Sequence, residues 1–169
     1  QSTVKDCYLS TDTRVLSTFG SETTFSRNLI VGLDLEAPFY VGDRILDDLK
    51  NITVEDLTVV GDWKTLFAVH QAHFGNLSQF NFKNVNAFYI GKKTKASLLS
   101  LAVGFSPYRR GDYQGSIKGV TVSDISITAL DKSPKISVSA FGFSEQAAVR
   151  DVIVKNVKVN GEAAKFLPE

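Results

Sequence analysis

Apolar and polar residues alternate over short stretches of this chain, and apolar positions recur at helical spacing almost nowhere. The clearest runs are Ile52, Val54, Asp56, Leu57, Val59, then Val120, Val122, Asp124, Ile125, Ile127, then Val152, Val154, Asn156, Val157, Val159. In each, two inward residues alternate with polar ones, the phase breaks at an Asp or Asn, and two more inward residues follow. This is the period-2 geometry of a strand interrupted by a corner. The same mark recurs as Asp6, Asn28, Asp56, Asn84, Asp124 and Asn156, at intervals of 22, 28, 28, 40 and 32 residues. A unit repeating on that scale predicts an all-β parallel solenoid of about six coils, each burying its apolar face only against its neighbours.

Short polar side chains tolerate left-handed backbone angles and bond their own backbone, so the Asp and Asn residues are assigned to the corners, as architecture. A second apolar run follows each corner: Val15 and Leu16, Phe39 to Val41, Leu66 to Val69, Leu98 to Val103, and Ile136 to Phe141. Runs rich in Val, Ile and Phe are what a coiled parallel sheet needs. None of the four prolines is expected inside a ladder strand.

Composition fits a single folded domain over residues 1–169, with 43% hydrophobic and 22% charged residues and a formal charge of +1. No global field favours nucleic acid, and Lys92, Lys93 and Lys95 read as a solvated turn. The longest apolar runs are strand length, so no membrane span is expected. Cys7, the only cysteine, is read as a buried inward thiol. His70 and His73 at i, i+3, without further ligands, make a weak metal pattern, and no metal or cofactor is expected.

The chain starts at Gln1 and contains no methionine. Together with the acceptor triplets Asn51-Ile52-Thr53 and Asn76-Leu77-Ser78, this suggests a processed, secreted or periplasmic product or a piece of a longer one. Asn160-Gly161 predicts a turn that brings Phe166 and Leu167 over the last coil. The first coil starts in register at Val4 with nothing ahead of it. Preceding coils, from a longer chain or another subunit, are expected to cover it.

The excursion Ser106-Pro107-Tyr108-Arg109-Arg110-Gly111 into Ile117, Val120 and Val122, then Gly142-Phe143-Ser144-Glu145, Val149-Arg150-Asp151-Val152 and Lys155-Asn156-Val157-Lys158-Val159-Asn160-Gly161, resembles the C-terminal coils of right-handed parallel β-helix glycoside hydrolases. The likeness is to the dextranase and isopullulanase group and, more distantly, to polygalacturonases. It implies a pectin-lyase-like, right-handed β-helix, a polysaccharide or oligosaccharide substrate, and catalytic acids on one sheet face. Asp12 aligns with the first carboxylate of the family's pair, and Thr13 stands where the second would be. Inversion at a glycosidic bond needs an acid and a base roughly 6.5 to 9.5 Å apart, which Asp12 alone cannot supply.

Asp43 and Glu36, about one coil above, are the candidate partners, with Asp34 beside them. Turn acids at a solvated rim are the plainer reading of all four, as of Asp47, Asp48, Asp62 and Asp131. Sugars also require aromatic faces and forked polar groups, for which Tyr40, Trp63, His70, Tyr108, Arg109, Arg110, Asp112 and Tyr113 are the candidates. The function expected is that of a polysaccharide-active protein derived from, or part of, a secreted glycoside hydrolase. An inactive carbohydrate-binding β-helix and a structural fibre or adhesin segment are the alternatives.

Overall fold

A computed structural model describes residues 1–42, 45–91, 95–104, 115–131 and 133–167, and every element among them is a strand. A first sheet holds β1 (Ser2–Lys5), β2 (Tyr8–Ser10), β4 (Thr23–Ser26), β5 (Leu29–Leu35), β7 (Leu49–Glu55), β8 (Thr58–Trp63), β10 (Leu77–Tyr89), β12 (Ile117–Ala129) and β14 (Val149–Val159). A second holds β3 (Arg14–Leu16), β6 (Ala37–Val41), β9 (Thr65–Gln71), β11 (Lys95–Val103), β13 (Lys135–Phe141) and β16 (Phe166–Leu167). The chain visits the two sheets in turn, and successive visits lie side by side and parallel. The exception is β15 (Glu162–Ala163), which returns antiparallel on β14 through Asn160 and Gly161. Both turn residues have positive φ, 51° and 83°, as a two-residue hairpin needs.

In-register pairing places equivalent side chains in files. Val4, Phe25, Val54, Phe82, Val122 and Val154 form one inward file, and Leu9, Ile30, Val59, Ala87, Ile127 and Val159 another. Opposite them, Leu16, Phe39, Phe67, Leu99 and Val138 line the inner side of the second sheet. The two sheets meet in a phenylalanine cluster, with Phe82 stacked on Phe67 at 4.3 Å and edge-on to Phe39 at 5.2 Å. Such offset and edge contacts add to the burial of large apolar area.

The corner file is real and differs from the expected one at a single residue. Left-handed angles fall on Asp6, Arg27, Asp56, Asn84, Asp124 and Asn156. Arg27 holds this geometry through two 2.7 Å bonds to Asp6, while its neighbour Asn28 is buried, accepting from Cys7 N and donating to the Val4 carbonyl. Above, Asn84 donates to Asp56 at 3.3 Å and Asn156 to Asp124 at 2.5 Å. A second file of positive φ, Glu22, Asn51, Gln79, Gly119 and Asp151, falls just before β4 and at the third residue of β7, β10, β12 and β14, and has no counterpart in the expected pattern.

Two further expectations are corrected. Cys7 lies in the link between β1 and β2, partly exposed, with its thiol donating to the Lys5 carbonyl at 3.3 Å. Pro38 lies inside β6, at its second residue, where one missing N–H near the strand start is tolerated.

Candidate functional site

The outer face of the second sheet brings together more of the expected residues than any other described surface. Register puts Tyr40, Ala68, Ser100 and Ser139 in one file across β6, β9, β11 and β13. It puts His70, Ala102 and Phe141 in the next. Period-2 geometry makes this the side opposite Phe39, Phe67, Leu99 and Val138.

Contacts run continuously across four strands. The Arg14 guanidinium donates to Glu36 Oε1 at 3.1 Å and lies 3.7 Å over the Tyr40 ring. Tyr40 meets the His70 imidazole edge-on at 5.5 Å, and His70 Nε2 is 3.1 Å from Ser100 Oγ. A side chain on Gly42 would press against His70 Cβ at 2.9 Å and the Tyr40 hydroxyl at 3.0 Å, so the bare backbone there lets these rings meet. Small residues, Ala37, Ala68 and Ala102, make up the floor between them.

Tyr40 is therefore a pillar of the site and not a stacking platform. It is 7% exposed, and its face is taken by Arg14. A cation so placed is worth roughly 0.5–1 kcal/mol at an exposed position. Trp63, expected to face sugar, is 0% exposed and packs edge-on against Tyr89 at 4.8 Å. It is a core residue, and its indole N–H has no hydrogen-bond partner among the described residues. Asp62 is likewise buried and accepts the Gly91 N–H at 2.9 Å.

The expected carboxylates are distributed along the rim. Asp12 is exposed and accepts the Leu33 N–H at 3.0 Å, which ties the β2–β3 link to β5 of the next coil. Glu36, also exposed, is the Arg14 partner. Each thus has a local structural partner. Asp43, Tyr108, Arg109, Arg110, Asp112 and Tyr113 lie outside the described residues.

His73 is buried away from this face. Its backbone N–H donates to Gln71 Oε1 at 2.8 Å, and Gln71 donates in turn to the Gly75 carbonyl. Among the described residues no group of three His, Cys, Asp or Glu side chains is placed to hold a metal ion, and no helix is long and apolar enough to cross a membrane.

Two aromatics that the expected set missed sit at the far end of the face. Phe141 and Phe143 are 59% and 53% exposed. As the last part of an apolar run, Phe141 reads as core in the sequence, and only its register with Ala102 and His70 places it outside. Comparison of the chain with protein-family models, with curated proteins and with solved structures finds no match.

Proposed function

We propose that the two sheets wind as a right-handed parallel β-helix of about six coils, belonging to or derived from a secreted glycoside hydrolase, and that the outer face of the second sheet holds a polysaccharide chain. The observation that carries this reading is the contact file Glu36, Arg14, Tyr40, His70, Ser100. It offers a forked donor, a ring nitrogen, hydroxyls and a carboxylate in line across adjacent strands. Strands about 4.8 Å apart present these groups at regular steps, which suits a polymer of repeating, hydroxyl-rich units.

The resemblance noted in the sequence supplies the lineage. Binding is what this geometry favours first, because Asp12 and Glu36 each serve a local partner in the fold. Cleavage would be carboxylate acid/base chemistry drawing on Asp12, Glu36 and Asp43, and it is read separately from binding in the test.

The experiment is calorimetric titration with soluble α-glucans and pectic polymers, alongside an assay for new reducing ends. The wild-type chain is expected to bind one of these classes, and Arg14→Ala and His70→Ala each to weaken binding about tenfold, the upper end of one lost hydrogen bond. Asp12→Asn should abolish reducing-end release and leave affinity nearly unchanged. Absence of affinity for every polymer, or equal affinity in wild type and both alanine variants, would refute the proposal.

A further inference from the structure

We infer that the folded chain accepts an N-linked oligosaccharide at Asn76 and not at Asn51, although both residues open an acceptor triplet. The inference concerns a covalent modification and is independent of polymer binding. In the triplet, the side-chain amide is the nucleophile and a hydroxyl two residues on is required, here Ser78 or Thr53. The donor is an oligosaccharide carried on a polyisoprenyl pyrophosphate. A bond forms between Nδ2 and the anomeric carbon, the bond from that carbon to the pyrophosphate oxygen breaks, and one Nδ2 proton passes to a base of the transferase. The fold must then leave the bulky sugar at the surface.

Asn76 meets that condition. It is exposed, the last residue of the link between β9 and β10, and the neighbouring Phe74 and Asp48 are exposed as well. Its Nδ2 donates to Asp48 Oδ1 at 3.1 Å and to no other acceptor among the described residues, so one of its two N–H groups remains for the bond to sugar while the other keeps the ladder contact. The rest of the residue is fixed. Its backbone N–H donates to Asp48 Oδ1 at 2.8 Å, its carbonyl accepts the Leu49 N–H at 2.9 Å, and its Oδ1 accepts the Ser116 hydroxyl at 2.9 Å. Gly75 lets this link lie directly on the one below, since an added Cβ would run into the Asp47 carbonyl.

Asn51 offers a poorer exit. It is half-buried at the third residue of β7, held at φ 58° in the second corner file between Glu22 and Gln79. Its Nδ2 donates to Glu22 Oε1 at 2.5 Å, within the sheet surface that a sugar would have to part.

The test is expression of the full chain behind a cleavable leader in a eukaryotic secretory host, with intact mass measured before and after peptide N-glycosidase digestion. Wild type should lose one oligosaccharide. Asn76→Gln and Ser78→Ala should each abolish the mass shift, and Asn51→Gln should leave it unchanged. Digestion of wild type in heavy-oxygen water, followed by peptide mapping of secreted and retained chains, locates the labelled acid at position 76 without relying on any variant to fold. Absence of sugar at position 76 in both pools, or secreted chains occupied at position 51 as fully as at position 76, would overturn the inference. Polymer affinity is measured separately on the digested chain, so its absence would count against the polysaccharide reading alone.

Discussion

Replacing Asp124 with valine tests the corner file at the position where its physics is least ambiguous. Asp124 has φ 58°, is exposed, and accepts the Asn156 amide at 2.5 Å. A left-handed angle costs an ordinary residue roughly 1–2 kcal/mol, more when the side chain is β-branched, and the lost ladder bond adds about 0.5–1.5 kcal/mol. The sum is about 2–3 kcal/mol, which for a domain of this size lowers the melting temperature by roughly 5–10 °C. Two companions separate the contributions. Asp124→Gly removes the bond and keeps the backbone angle, so it should lose only about 1 kcal/mol. Thr121→Val, three residues earlier on the outer side of the same strand, should stay within about 0.5 kcal/mol, since valine suits a strand. Urea and thermal unfolding followed by far-ultraviolet dichroism read all three. If Asp124→Val proved as stable as Thr121→Val, the corner would not depend on left-handed geometry and the assignment would be wrong.

The core and the rim carry further expectations. Phe82→Ala removes a fully buried ring that touches Phe67, Phe39 and Phe80, and should cost about 3–5 kcal/mol in urea unfolding; a loss below 1 kcal/mol would mean that the inter-sheet cluster is not the main packing contact. The Arg27 hydrogen bonds, helped by the charges of Arg27 and Lys5 and opposed by desolvation, hold the Asp6 carboxyl below its ordinary 3.8. A depressed carboxyl stabilises the fold above that ordinary value and loses its contribution as pH falls through the folded one, so wild type minus Asp6→Asn stability should shrink on acidification below about pH 4. Lys83, raised above its ordinary 10.5 by its bond to Glu55, has the opposite sign: its contribution is full below 10.5 and is lost as pH rises through the folded value, which Lys83→Gln titrated by unfolding at alkaline pH would detect.

Much of this architecture was legible because period-2 alternation survives in every repeat. Ile52, Val54, Val120 and Val122 point inward as the pattern requires, and all five second-sheet runs became strands. The misses have physical causes. Asn28 reads as the corner because Asn tolerates left-handed angles, yet the bidentate bond to Asp6 stabilises Arg27 there and frees Asn28 to serve buried backbone groups. The second corner file mixes Asn51, Gly119 and Asp151 with Glu22 and Gln79, which carry no turn signal, so only the register of neighbouring strands reveals it as one file.

At the site, side-chain chemistry was a poor guide to exposure. Trp63 and Tyr40 have the rings that sugars favour, but one packs on Tyr89 in the core and the other lies beneath Arg14. Phe141 and Phe143 have no polar atom to attract notice and are nevertheless among the exposed rings. Arg14 entered the reading only through its reach across the strands to Glu36 and Tyr40, a relation between residues 22 and 26 positions apart that no local spacing encodes.

A crystal structure of the chain with an oligosaccharide of the class it binds addresses the account most directly, since it reads winding and site together. Density for successive sugar rings lying over Arg14, His70 and Ser100, across strands β3, β6, β9 and β11 in that order, is the expected result. Sugar density confined to the outer face of the first sheet, or strands of the second sheet stacked in another order, would contradict it.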